Sequence, residues 1–346
     1  MTSPVLRGGL LALLAAALFG LSTPLVQRFG HGMGPYSTAA LLYAGAALVA
    51  AFTRKSAATE APLRSGDIPR LLGMVLAGAV VGPVALAWGL QRTSGASAAL
   101  MLTLEAVFTA LLAWRWYGET LDRRVRSAVG LLLAGGVLLV LEQGLVGQVQ
   151  LAGLLAVAVA TLAWGVDNTL SRGVAERDPG QVVLAKGAAG SALTTSLAVL
   201  WQEPLPLAWS ALAMLAVGAS GYGLSLRFYL LAQRQFGAAR TGSVFAFAPF
   251  IGALAALAMG DRSVSGILLA SGALMAAGIV LHVAEAHSHE HRHEALEHEH
   301  AHTHDDGHHT HTHDPMPVGA HSHWHQHSPL RHSHPHAPDL HHTHRH

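Results

Sequence analysis

The sequence predicts an all-α polytopic membrane protein: ten transmembrane helices as two inverted five-helix repeats, plus a disordered His-rich tail. Three observations predict it. Apolar runs of membrane-spanning length recur between short polar breaks, the second half repeats landmarks of the first, and the composition changes abruptly after residue 284.

Composition supports the class. Of 346 residues, 51% are hydrophobic and only 12% charged. Mean hydropathy is +0.38. Soluble domains carry about 25% charged residues, so half that value with long apolar runs points to the bilayer. The net charge of +1 conceals a split. Residues 1–284 hold 18 Lys and Arg against 11 Asp and Glu, whereas residues 285–346 hold 3 against 9 together with 23 of the 25 histidines. The absence of cysteine excludes disulfides, thiolate metal sites and cysteine nucleophiles. Basic residues sit singly or in short clusters between apolar runs, so no nucleic-acid surface is expected. No phosphate loop, hydrolytic triad or zinc-hydrolase pattern is present, and an enzyme is not expected.

In chain order, the apolar segments fall at about 8–27, 36–53, 70–90, 97–117, 125–142, 151–171, 181–201, 209–231, 239–259 and 266–284. Each is close to the ~20 residues a helix needs to cross a bilayer. The first also reads as a signal peptide, with Arg7 ahead of Leu10–Leu18. Its pairing with an internal segment favours a retained helix. With the N-terminus inside, inner breaks carry twelve Lys and Arg: Arg7, Arg54, Lys55, Arg64, Arg70, Arg123, Arg124, Arg126, Arg172, Arg177, Arg234 and Arg240. Outer breaks carry Arg28, Arg92 and Arg262. The positive-inside rule then puts both termini in the cytoplasm.

The repeat joins 8–142 to 151–284. Phe19-Gly20-Leu21-Ser22-Thr23 aligns with Trp164-Gly165-Val166-Asp167-Asn168, and Gln91-Arg92 with Gln233-Arg234. Gly118-Glu119 aligns with Gly260-Asp261, and Phe108 with Phe250. An odd number of spans per copy inserts the second copy upside down. Inverted repeats of this kind build many secondary transporters, with the site near the midplane between the halves.

These residues resemble the EamA-type family of the drug/metabolite transporter superfamily. The resemblance covers residues 8–284 and is carried by Trp164-Gly165, Gly118-Glu119, Pro249-Phe250 and the preceding Gly237–Gly242 stretch. It departs at Phe19, where the family often has Trp, at Asp261 in place of the usual Glu, and in span two, which lacks the common arginine. The His-rich tail and the Trp-Gly-x-Asp-Asn pattern resemble one bacterial subgroup. The resemblance implies a carrier in the bacterial inner membrane, often an exporter of amino acids, other metabolites or toxic compounds. Its implied partners are the lipid bilayer, a small-molecule solute and protons, with a homodimer left open. It requires no cofactor.

Several intramembrane polar residues are candidates for transport or coupling. Asp167 lies near the cytoplasmic end of span six, and Lys186 about as far into span seven from the same side. Antiparallel neighbours bring them to similar depth, so an ion pair is expected. It reads either as a coupling pair that solute competes with, or as a structural bridge whose loss strands a buried charge. Glu105 lies near the middle of span four, where desolvation favours the neutral acid and suits a proton carrier. The competing reading is a hydrogen-bonded structural acid. Asn168 follows Asp167, and Ser22 and Thr23 are their pseudo-symmetric counterparts, either lining the same cavity or acting as interhelical glue. Tyr222, between Gly221 and Gly223, either reaches a cavity or packs. Gly73, Gly78 and Gly82 read as close packing, and Pro24, Pro83 and Pro249 as helix interruptions.

The tail from His287 lacks apolar side chains to build a core, so disorder is expected. In extended chain, residues i and i+2 share a face, so His-x-His pairs offer two imidazoles to one divalent ion such as Zn, Ni or Co. The metal candidates are His287, His289, His291, His293, His298, His300, His302 and His304. Two alternatives to an organic-solute carrier follow: a divalent metal transporter using the tail as a ligand reservoir, and a membrane metal sensor that does not transport.

Overall fold

A computed structural model describes residues 4–53, 61–118, 121, 123–174, 177–236, 238–283, 287–292, 296–302, 321–327 and 331–336. Up to residue 283 it is almost wholly helical. The long helices are α1 (Pro4–Phe29), α2 (Pro35–Thr53), α7 (Arg123–Val146), α8 (Gln148–Ser171) and α9 (Pro179–Leu200), with α14 (Gly266–Val283) last. Four further stretches are interrupted. α3 (Ile68–Met74) runs through a π-helical turn, Val75–Val81, into α4 (Gly82–Leu90), and α5 (Gly95–Met101) is followed by α6 (Leu104–Tyr117). Likewise α10 (Ala208–Val217) runs through a π-helical turn, Gly218–Leu224, into α11 (Ser225–Phe236), and α12 (Ala238–Phe245) is followed by α13 (Ala248–Ala258). Among the described residues, eight helical stretches are long and apolar enough to cross a membrane, and Ala248–Ala258 and Gly266–His282 are shorter apolar helices.

The outside of the bundle is hydrocarbon. Leu13, Leu14, Leu76, Val137, Leu212 and Leu254 are each at least half exposed. Water would not tolerate so continuous an apolar surface, and lipid would. Trp114 and Trp116 are exposed near one end of the bundle, Trp201 and Trp209 at the other, as interfacial indoles are. The chain is a multi-pass membrane protein.

Packing interlocks the halves. α8 lies against α3, α4, α5, α6 and α7 of the first half, whereas α1 packs chiefly on α10 to α13 of the second. α2 crosses α9, and α7 lies along α14. Glycines set the closest crossings. A Cβ on Gly218 would fall on the backbone of Leu42, and one on Gly45 would come 2.7 Å from the Ala219 nitrogen. Gly252 and Gly20 meet in the same way, a Cβ on Gly252 lying 2.8 Å from the Gly20 carbonyl oxygen. Without a hydrophobic drive between helices in lipid, such close contact supplies much of the association. The Gly73, Gly78 and Gly82 stripe meets Leu170, Asp167 and Trp164 of α8.

The interruptions recur at matching places. The two π-helical turns are 143 residues apart, and the breaks at 102–103 and 246–247 differ by 144. Gly118 and Gly260, which close α6 and α13, both have positive φ (69° and 105°). A residue with a Cβ strains there, which gives the Gly-acid pairs read from the sequence a shared backbone reason.

Four short segments of the tail are extended. Its backbone forms β1 (His287–Arg292), β2 (Leu296–His302), β3 (His321–His327) and β4 (Arg331–His336), with β1 antiparallel to β4 and β2 to β3. Main-chain hydrogen bonds between extended segments need no apolar core, although two-stranded ladders without one are marginal in water. His293 and His304 lie outside the described residues.

Gly218→Leu is expected to lower the thermal stability of the purified protein or abolish folded yield, because overpacking costs about 1–3 kcal/mol even where side chains can yield. Here the neighbour is backbone. A melting temperature unchanged in size-exclusion thermal assays would show that α2 and the Gly218–Leu224 turn separate freely.

Candidate functional site

Proline starts the construction of the site. Pro83 has no N–H, so the carbonyl five residues earlier in the π-helical turn, that of Gly78, lacks its in-helix donor. The next amide, Gly82, bonds to Ala77 instead. Two side chains take up the released oxygen: the Trp164 indole N–H at 3.0 Å and the Tyr43 hydroxyl. A buried carbonyl must find a donor in lipid, and here it fixes two aromatic rings from different helices.

Those rings belong to a continuous wall. Phe19 is its hub, edge-on to Trp164 (6.1 Å between centroids) and Tyr222 (6.0 Å) and tilted against Phe245 (5.4 Å). Tyr43 meets Tyr222 at 5.7 Å, and Tyr229 meets Phe245 at 5.0 Å. The wall encloses a cavity of about 160 Å³. At ~30 Å³ per water molecule, that is room for roughly five waters or one small metabolite.

Charge occupies the other wall. Asp167 on α8 and Lys186 on α9 form a buried ion pair through Asp167 Oδ2. Asp167 Oδ1 is buried and has no hydrogen-bond partner. Glu105 Oε1 accepts from Asn168 Nδ2 at 2.6 Å. Glu105, Asp167, Asn168, Lys186 and Tyr222 therefore line one cavity. Ser22 and Thr23 do not: both are buried, and the Ser22 hydroxyl donates to the Phe19 carbonyl at 2.6 Å.

Glu105 lies near the middle of the Gly95–Tyr117 span, where the sequence puts it. The helix is interrupted just before it, at Leu102-Thr103, so Glu105 stands in the first turn of α6. Leu102 and Thr103 bond back to Ala99 and Leu100 in tightened turns, and the Thr103 hydroxyl donates to the Leu100 carbonyl at 2.8 Å. A carboxylate in a first turn also meets the positive end of the helix dipole. Nothing in Leu102-Thr103-Leu104 announces the break, since neither Pro nor Gly is there.

The cavity lies in the half of the bundle toward the loops that carry Arg64, Arg70 and Arg177. Asn168, on that side, is exposed. A clasp joins two of those loops: Arg177 pairs with Asp67 at 2.8 Å, and the Asp178 N–H donates to the Ala61 carbonyl at 2.7 Å. The opposite end is closed by hydrogen bonds. Gln27 donates to the carbonyls of Leu90 (2.8 Å) and Thr93 (3.0 Å), and Gln91 to that of Met33 (2.8 Å). Glu203 accepts from the amides of Tyr36 (3.0 Å) and Ser37 (2.7 Å), and Asp261 from that of Ala96 (3.0 Å). Burial works to raise the Asp261 carboxyl, but hydrogen bonds from Ser263 and from the backbone of Ala96 and Gly95 hold it below the usual range. A separate depression beside Gln27, Arg28 and Asp261 lies at this closed end.

Among the described residues, no group of three or more His, Asp or Glu is placed to hold a metal. What sequence reading missed is the aromatic wall around Phe19, whose members come from α1, α2, α8, α11, α12 and the second π-helical turn. Pro83 is the one sequence signal that leads toward it.

Comparison with known proteins agrees with this picture. Residues 6–141 match the family model of the EamA-like transporter family. An uncharacterized transporter from Methanothermobacter thermautotrophicus (strain Delta H) is 25% identical over 288 residues, covering 77% of this chain and 83% of its own. A crystal structure described only as that of a protein superposes with a TM-score of 0.58 at 20% identity, covering 80% of this chain and 95% of that one, a likeness of fold. Residues 6–141 are thus EamA-like, and most of the chain is similar to an uncharacterized transporter.

Asp167→Asn is expected to strand the Lys186 ammonium, costing about 3–5 kcal/mol as for a broken buried pair, while the double change Asp167→Asn with Lys186→Met recovers most of that stability. Thermal denaturation of the purified variants checks it. Equal stability of the single and double variants would mean that the pair contributes nothing in the folded protein.

Proposed function

We propose that the whole chain is an EamA-type secondary carrier of ten transmembrane helices, built from inverted units 8–142 and 151–284. It exports a small organic metabolite across the bacterial inner membrane in exchange for protons, with both termini in the cytoplasm. One observation carries this reading: a metabolite-sized cavity at the helix interruptions, holding Glu105, Asp167 and Lys186, with one end of the bundle hydrogen-bonded shut. The matching positions of the π-helical turns and helix breaks support the inverted repeat. The basic loops on the open side support a cytoplasmic face there, which makes the conformation inward-facing.

In this reading Glu105 is the proton carrier. It stands at a helix break beside the cavity, and the Asn168 amide holds one of its oxygens in place. Proton binding and solute binding then compete at one carboxyl, which couples the two fluxes without a long relay. In proteoliposomes, Glu105→Gln is expected to leave downhill solute exchange measurable while abolishing uptake or efflux driven by an imposed pH gradient. Unaltered pH-driven flux would remove Glu105 from the coupling.

The tail is assigned a metal-responsive role on the strength of its backbone register. His298, His300 and His302 stand opposite His325, His323 and His321, and His287, His289 and His291 opposite His336, His334 and His332. Directly opposed residues share a face with Cβ atoms about 4.5–5.5 Å apart, a spacing from which two imidazoles can take one Zn, Ni or Co ion. Among the described residues, no group of three or more His, Asp or Glu in the membrane-spanning part favours the metal-transporter alternative. Deleting residues 285–346 is expected to leave basal flux intact and to abolish any change in flux on adding micromolar zinc. Loss of all flux on deletion, with normal folding, would overturn the assignment.

A further inference from the structure

The cavity that holds Glu105, Asp167 and Lys186 is also lined by aromatic rings. We infer that the solute is a protonated amine with an aromatic or other flat apolar body, rather than an anion or an amino-acid zwitterion. The inference rests on the carrier reading given above and specifies the ligand of the same cavity.

Charge is the first argument. The cavity holds two carboxyl groups, Glu105 and Asp167, and one ammonium, Lys186. Lys186 is already engaged with Asp167 Oδ2, and the other oxygen of that carboxylate is buried without a partner. Asn168 follows Asp167 in α8 and donates to Glu105, so the two acids flank a common space. Acceptors are therefore in surplus, and donors with positive charge are what the site lacks. An ammonium supplies several N–H donors and makes the set neutral. With Glu105 deprotonated, the state in which solute replaces the proton, an anionic solute would add a second unpaired negative charge to a desolvated site. A zwitterion would need Lys186 for its carboxylate, which means breaking the ion pair with Asp167.

Shape and polarizability are the second argument. The same cavity is lined by Phe19, Trp164, Tyr222 and Phe245, with the Phe19 ring 5.4–6.1 Å centroid to centroid from each of the other three. Ring faces attract cations, and ring edges and faces pack flat apolar bodies. Tyr43 and Trp164 have their polar atoms committed to the Gly78 carbonyl, so they offer the solute hydrocarbon rather than hydrogen bonds. A cationic head at the acids with a ring against Phe19 uses both walls at once.

The test compares three ligands with one phenyl body: 2-phenylethylamine, phenylalanine and 3-phenylpropionate. Each is titrated into the purified full-length protein in lipid nanodiscs at pH 7 by isothermal calorimetry, then offered for counterflow in proteoliposomes. The amine is expected to bind at least about tenfold more tightly than phenylalanine, a difference of about 1.4 kcal/mol, with 3-phenylpropionate weakest. Phe19→Leu and Glu105→Gln are each expected to weaken the amine and narrow the gap, and a thermal melt confirms that both variants fold. The inference is overturned if the amine binds no better than phenylalanine or 3-phenylpropionate, or does not bind at all. Amine binding without counterflow keeps the ligand class and refutes the carrier reading. Counterflow of phenylalanine or 3-phenylpropionate without amine binding does the reverse.

Discussion

A carbonyl released from its helix ladder inside a bilayer has no water to turn to, and much of this site follows from one such group. Pro83 withholds the amide that Gly78 would use, and the π-helical turn around it lets Trp164 and Tyr43 supply donors instead. Once both rings are tied to one oxygen, their positions are no longer free. Phe19 and Tyr222 pack against them, and the aromatic wall follows. The same turn carries Gly78 past the Asp167 side chain at a distance no Cβ would permit. Backbone irregularity, ring placement and the approach of α8 are consequences of one unsatisfied acceptor.

The acids are held by a different constraint. Neither Asp167 nor Lys186 could remain charged in hydrocarbon alone, and their pairing offsets part of that desolvation. Yet the pair leaves Asp167 Oδ1 without a donor, and Glu105 has only an amide for company. A purely structural bridge would be expected to satisfy its own oxygens. Leaving a buried acceptor unfilled costs stability, and such a cost persists at sites where function rather than stability decides the arrangement.

Legibility in the sequence divides along the same physical lines. Spans, loops and the depths of Asp167 and Lys186 follow from hydropathy and helical rise, both of which are local. The juxtaposition of those two residues is readable because α8 and α9 are consecutive, antiparallel helices joined by a short loop. Glu105 next to Asn168 is not readable, since α6 and α8 approach through packing that no spacing encodes. The break at Leu102-Thr103 carries no Pro or Gly, so tertiary packing decides it. The extended tail segments are not legible for another reason. Composition speaks to the lack of a core, whereas ladder formation depends on backbone bonds and an alternation that any i, i+2 pattern allows.

The two halves share a backbone plan and differ in chemistry, and that difference shapes the site. Both carry a π-helical turn in the third stretch and a break in the fourth, yet the break in the first half is followed by Glu105 and that in the second by Ala248-Pro249. Conversely, Asp167-Asn168 in α8 corresponds to Ser22-Thr23 in α1, which are uncharged and buried, the Ser22 hydroxyl donating to the Phe19 carbonyl. Chemically equivalent halves would give two acid sets, one on each side of the midplane. Here the acids collect on one side, and the matching region of the other half is closed by Gly20 against Gly252 and by hydrocarbon. A carrier built this way need not bind its solute at two sites in sequence. In the proposed carrier reading one charged pocket suffices, and the glycine-packed side is the barrier between it and the closed end.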